Sequence, residues 1–351
     1  MKKILLSLVV TVGVTFFGNS KVLTVSNNPN SPGQYTELQA ACDAASSNDT
    51  IYVHASSTRY GGANLTKPLV LIGEGALPNQ QVKLETNVIG INFVSTSDLT
   101  SNMTASGSKV YGINSIFTLG QRNGIPIGNF TFIRCKGEIL PSGNSSVFVN
   151  QFVGKIGTPQ FNLLSNIVVS NSILTEVNLF NVNSNNIFFR NCIIGNSFNI
   201  NGGIVENNIF FTPADLNITQ SNTTFNNNIF YYKTGNIDKL PTEKSNLFNV
   251  DPMFENPESS VNQVYFCDYN STGPYANFKL KAGSPALTLG TDGTQVGIYG
   301  GSSPWVEGGD GVFRYHTMPS EVPYVTDMNI LNLSVQENGT LNVNIKAKVQ
   351  D

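Results

Sequence analysis

Charged residues are scarce in this 351-residue chain, at 12% of the total, and histidine occurs only twice, as His54 and His316. Setting Lys2 and Lys3 aside leaves 18 basic residues against 23 acidic ones. Such a mildly acidic chain lacks the basic patch that nucleic acid demands, which excludes that partner. With so few charges, Asn, Ser, Thr and Gly must supply most of the polar surface, and a neutral hydrogen-bonding surface suits contact with sugars. Long apolar runs are lacking too, apart from residues 4–17. That run follows a basic pair and precedes the small residues Gly18 and Ser20, the pattern of a signal peptide (residues 1–20) cleaved after Ser20. It is too short to favour a membrane anchor. The expectation is an exported protein, whether secreted, periplasmic or on the cell surface, with no transmembrane segment after cleavage.

What the chain does have is repetition. Four phrases resemble one another: IVVSNSIL (167–174), IFFRNCII (187–194), IVENNIFF (204–211) and TFNNNIFY (224–231). Each places β-branched or aromatic residues before an Asn and an apolar pair after it. The shared residues are Asn171, Asn191, Asn207 and Asn227, spaced by 20, 16 and 20 positions. A strand-turn-strand phrase at that period predicts a β-solenoid. The four Asn are expected to form a structural ladder, buried at equivalent turns, with each amide satisfied by its neighbours and by turn backbone.

Four cysteines in an exported chain raise the question of disulfides. Cys135 and Cys192 sit in strand phrases at least two coils apart, a separation of about 9.6 Å at the usual strand spacing. A bridge needs Cα atoms within about 7 Å. Cys42 lies in a predicted helix and Cys267 has no evident partner, so all four are expected to be free thiols.

Residues 34–53 read as a short amphipathic helix, a turn and a strand, and residues 59–75 follow with Lys67-Pro68-Leu69 and a strand ending at Gly73 and Gly75. This stretch resembles the N-terminal cap and first coils of right-handed parallel β-helix proteins of the pectin lyase-like superfamily, exported bacterial type. Residues 246–254 and 275–301, with Asp251-Pro252 and Lys281-Ala282-Gly283-Ser284-Pro285-Ala286, resemble the last coils of such proteins. The resemblance implies an all-β fold: a right-handed parallel β-helix over residues 21–304 whose open end is covered by the helix. It does not choose an activity, because that superfamily includes lyases, hydrolases, esterases, tailspikes and adhesins.

The enzyme templates of that superfamily fail here. Neither histidine lies in a Gly-His-Gly segment, as a polygalacturonase-like hydrolase requires beside its carboxylates. The acids Glu176, Glu206, Asp215 and Asp238 fall at non-equivalent repeat positions, so no Ca²⁺-holding cluster is expected; Ca²⁺ enters only under a lyase alternative. No metal site and no other cofactor is predicted. The residue before the Asn column is Arg134, Ser170, Arg190, Glu206 and Asn226 in successive phrases. Strand alternation points it outward, so Arg190 and Glu206 read as a surface ion pair and as the catalytic candidates if the chain is an enzyme. Tyr231 and Tyr232 are the candidates for stacking on sugar rings. The same alternation leaves Val168, Phe188 and Ile204 as an exposed apolar column.

After a Gly-rich linker at 305–319, residues 325–335 and 340–350 read as a β-hairpin around Asn338-Gly339. A lone hairpin is marginal in water, so residues 325–350 are expected to fold back along the solenoid, with Leu341, Val343 and Ile345 on an outward apolar column. The functional expectation is an exported surface protein contacting extracellular polysaccharide without demonstrated catalysis. The alternatives are a polysaccharide lyase or glycoside hydrolase, and a structural or adhesive surface protein.

Overall fold

The computed structural model describes residues 20–73, 85–94, 104–120, 127–141, 146–157, 166–179, 186–211, 223–231, 242–256, 277–305, 324–330 and 343–348. They form a parallel β-solenoid. Sheet A holds eleven strands in the order β1 (Val22–Val25), β2 (Thr50–Val53), β4 (Val70–Gly73), β6 (Lys109–Tyr111), β8 (Phe130–Ile133), β10 (Val147–Asn150), β12 (Ile167–Ser170), β14 (Ile187–Arg190), β16 (Gly203–Glu206), β18 (Thr223–Asn226) and β20 (Thr242–Lys244). Sheet B holds ten: β3 (Ala63–Leu65), β5 (Ile91–Phe93), β7 (Asn114–Leu119), β9 (Lys136–Leu140), β11 (Val153–Ile156), β13 (Ile173–Leu179), β15 (Ile193–Ile200), β17 (Ile209–Phe210), β19 (Ile229–Phe230) and β21 (Leu247–Phe248). Each coil contributes one strand to each sheet, and neighbours within a sheet pair in parallel.

Alternation builds the core. In β8, β12 and β14 the first and third residues are buried and the second points outward. The inward residues Phe132, Val149, Val169, Phe189, Val205 and Phe225 pack in one interior cluster with the inward side of sheet B. Phe210, Phe230 and Phe248 stack on successive coils with ring centroids 4.5 and 5.0 Å apart and planes 8° and 11° from parallel. Burying each apolar side chain contributes roughly 1.5–3 kcal/mol.

The bend from sheet A into sheet B falls on one residue per coil, and that residue adopts a left-handed backbone. Gly112, Arg134, Gln151, Asn171, Asn191, Asn207, Asn227 and Ser245 all have φ between 45° and 61°. Asn tolerates this region better than other non-glycine residues, which explains why the repeat is written in Asn. The register also moves Arg134: it belongs to the bend column, and Ile133 and Asn150 precede Ser170 in the outward column.

Helix α1 (Leu38–Ala44) buries Leu38, Ala41 and Cys42 and packs against β1, β2 and β3. Strand β1 precedes it, so the first strand of sheet A comes before the helix. Cys42, Cys135 and Cys192 are free and buried, and burial pushes each thiol up to about 12. Cys267 lies outside the described residues, as do residues 1–19 of the expected signal peptide. Among the described residues no helix is long and apolar enough to cross a membrane.

Beyond β21 the chain stops coiling. Strands β22 (Phe254–Asn256) and β23 (Asn277–Leu280) pair antiparallel, and residues 284–305 then run back along the bend column as a strap. This corrects the expectation that residues 275–301 form last coils. Strands β24 (Tyr324–Ile330) and β25 (Val343–Lys348) pair antiparallel as the expected C-terminal hairpin, with Ile330 opposite Val343 and Met328 opposite Ile345. Its Asn338-Gly339 turn, Leu341 and its placement on the coils lie outside the described residues.

Candidate functional site

The bend column does not form the amide-to-amide ladder expected from the repeat. Asn171, Asn191, Asn207 and Asn227 follow paired residues of sheet A in register, and the first three are buried. Their amides reach outward to the strap. Asn227 Nδ2 donates to the Leu289 carbonyl at 2.7 Å, Asn207 Nδ2 to Thr291 Oγ1 at 2.9 Å, and Asn171 Nδ2 to the carbonyls of Ile298 and Gly300 at 3.0 and 2.8 Å. The Trp305 indole N–H donates to the Asn171 carbonyl, and Gln151 Nε2 to the carbonyl of Pro304 at 3.2 Å.

The amide ladder stands one residue later and points inward. Asn208 Nδ2 donates to Asn228 Oδ1 at 3.1 Å, and Asn228 Nδ2 to Asn246 Oδ1 at 2.9 Å. Sequence reading missed it because only the second Asn of the doublets 207–208 and 227–228 takes part, and Cys192 and Ser172 hold the same position in earlier coils.

Four outward surfaces run along the coils. The first column of sheet B runs Asn114, Lys136, Val153, Ile173, Ile193, Ile209, Ile229 and Leu247. The strap covers its apolar part, burying Ala286, Val296, Ile298 and Trp305 against it in a second apolar cluster. At its polar end Lys136 Nζ lies 3.5 Å from Glu85 Oε1, both side chains largely buried, and Asn114 Nδ2 donates to Glu85 Oε2 at 2.9 Å. Tyr231 belongs to this covered region: its ring stacks on Phe211 at 5.1 Å and 2°. Tyr232 lies outside the described residues.

The outer face of sheet A carries the second surface. Phe148, Val168, Phe188 and Ile204 stand in register, and Phe148 is 40% exposed. Two positions along the strands, Arg190 Nε meets Glu206 Oε1 at 2.9 Å, with side chains 47% and 17% exposed. The Arg190 guanidinium carbon sits 5.2 Å from the Phe188 ring centroid. The structure therefore brings together the two catalytic candidates as a surface ion pair on an apolar column.

The third and fourth surfaces are adjacent columns on the outer face of sheet B, and they are polar. One runs Ile116, Glu138, Lys155, Glu176 and Ser197. Lys155 Nζ lies 3.6 Å from Glu176 Oε2, both about half exposed. Glu176 shares its column with Glu138, on the far side of Lys155. Beside this column, Asn64, Asn92 and Thr118 stand in register at one end and Asn178 and Asn199 at the other. Asn92 Nδ2 donates to Asn64 Oδ1 at 2.9 Å. Between those ends the Leu140 side chain closes over Gly157, where a Cβ would meet it at 2.4 Å. The result is an apolar spot at Leu140 flanked by hydrogen-bonding groups and a Glu-Lys-Glu row.

Among the described residues no group of three or more His, Cys, Asp or Glu is placed to hold a metal. No family model, curated protein or solved structure matches the chain.

Proposed function

We propose that this is an exported surface protein that contacts extracellular polysaccharide through the outer face of sheet B. The observation that carries the reading is the pair of adjacent polar columns: neutral Asn and Thr groups repeated at coil spacing, beside Glu138, Lys155 and Glu176, around the Leu140 spot. Neutral amides and hydroxyls donate to and accept from sugar hydroxyls, and a small apolar spot meets the C–H face of a ring. The scarcity of charge across the chain fits a ligand recognised by hydrogen bonds. The pectin lyase-like resemblance adds a superfamily in which extended saccharides are common ligands.

One observation favours a second, catalytic reading. Lys155 between two carboxylates supplies the residue types of a lyase or hydrolase site more compactly than Arg190 with Glu206 does. Both readings are tested by presenting purified glycans to the wild type and to Asn92→Ala and Lys155→Ala variants, scoring retention and released ends together. The binding reading expects retention by the wild type, about fivefold weaker in each variant, the size of one lost hydrogen bond, and no released ends. Retention that survives both substitutions would move the ligand off this face. Unsaturated or reducing ends that disappear with Lys155→Ala would make the chain an enzyme.

A further inference from the structure

The outer face of sheet A combines an apolar column with a pair of opposite charges on adjacent strands. In its apolar column Phe148 is exposed and Val168, Phe188 and Ile204 are half-buried, and among the described residues the strap that covers the first column of sheet B does not reach it. Beside that column Arg190 and Glu206 are neighbours on adjacent strands. Consider a two-fold axis lying parallel to the strands, between β14 and β16, in the plane of the face. It reverses the order of the coils and preserves position along each strand. Phe188 then meets Ile204 of the second copy at the centre, Val168 and Phe148 fall opposite the Thr224 and Thr242 positions, and Arg190 meets Glu206 of the second copy, twice over. We propose that this face is a two-fold self-association surface whose partner is a second copy of this chain.

The charge pattern decides the occupant. A shift of the axis by half a coil, onto β14 or β16, places Arg190 on Arg190 or Glu206 on Glu206. A shift by a whole coil towards β18 leaves Glu206 opposite Asn226. The two opposite charges therefore select one register, as self-complementary interfaces require. The exposed Phe148 and the half-buried Val168, Phe188 and Ile204 supply the driving force, since contiguous apolar surface left open to water marks an interaction surface. Size sets the strength. The symmetric overlap runs from β10 to β20, six strands or about 29 Å, and four residues wide, about 13 Å. A face of that size falls below the total of about 1,200 Å² typical of lasting complexes. The dimer is therefore weak and forms in a concentration-dependent way.

Sedimentation of the full chain over a wide concentration range tests this. The wild type should shift from monomer towards dimer as concentration rises, and Phe148→Asp should stay monomeric with an unchanged melting temperature. Arg190→Glu alone and Glu206→Arg alone should each weaken self-association about tenfold. Mixed in equal amounts, these two variants should associate with each other, because each then presents the charge the other lacks. That rescue is invisible to any effect within a single chain. A wild type that remains monomeric at the highest concentration, or a mixture that behaves as its separate parts, overturns the proposal. Dimerisation that appears only after residues 320–351 are deleted also overturns it, and assigns the face to the C-terminal hairpin.

Discussion

Asn228 holds Asn208 twice, its Oδ1 accepting the backbone N–H of Asn208 at 3.0 Å and its Nδ2 at 3.1 Å. The unit repeats: Asn246 Oδ1 takes the same two bonds from Asn228, and each Nδ2 also reaches a strand carbonyl, Phe189 for Asn208 and Val205 for Asn228. A side chain with both donors and its acceptor engaged can sit fully buried at no net cost.

Replacing Asn228 by Leu strands the Asn208 amide and its backbone N–H inside the solenoid. The expected cost is about 1–3 kcal/mol per buried group left without a partner. Asn227→Gly, one residue away, keeps the left-handed backbone, loses a single bond to the strap and should cost about 1 kcal/mol. Chemical denaturation of the two variants checks the order; equal losses would contradict the assignment of the ladder to Asn208, Asn228 and Asn246.

The strap has its own test. Trp305 is 5% exposed, packs in the second apolar cluster and bonds Asn171. Trp305→Ala should destabilise by about 3–5 kcal/mol. Removing residues 284–351 should uncover Val153, Ile173, Ile193 and Ile209 and raise hydrophobic-dye fluorescence, whereas removing residues 320–351 leaves that column covered. Dye binding that already rises to the same level with the shorter deletion would show that the strap is not what covers it.

Lys136 and Glu85 form the most deeply buried ion pair among the described residues, with side chains 3% and 12% exposed. Breaking such a pair from one side leaves an uncompensated charge, so Lys136→Met should cost about 3–5 kcal/mol. The double variant Lys136→Met/Glu85→Leu should recover most of it. Thermal melts of both, run side by side, measure the difference.

Asp49 gives the fold an acid-sensitive point. Its carboxylate accepts the backbone N–H groups of Lys21 and Ser46, each at 2.8 Å, and these bonds hold its carboxyl below the usual carboxylate range. A depressed folded value means the stabilisation is fully present above the unfolded value near 3.9 and is lost as pH falls through the folded value. Asp49→Asn should therefore lower the melting temperature at neutral pH, with the gap to wild type narrowing below about pH 4. Cleavage after Ser20, as the sequence predicts, would make the Lys21 nitrogen a charged amine and widen the gap. A gap that stays constant down to pH 2.5 would mean that Asp49 ionisation does not support the fold.

The sequence by itself determined the solenoid, because a coil repeats in space only if its pattern repeats along the chain. The alternation in residues 167–170 and 187–190 chose which side chains face inward, and Asn171, Asn191, Asn207 and Asn227 marked the bends because few residues accept a left-handed backbone. Arg190 and Glu206 were legible as neighbours for the same local reason: equivalent positions in adjacent repeats become adjacent on the sheet. What lay between distant segments was decided only by the tertiary structure. The strap takes up the Asn171 amide from residues 298 and 300, more than a hundred positions away, and no periodicity relates those partners. The Glu138–Lys155–Glu176 row was hidden because unequal return loops put its members at irregular spacings in sequence, and hydrogen-bonded register alone lines them up.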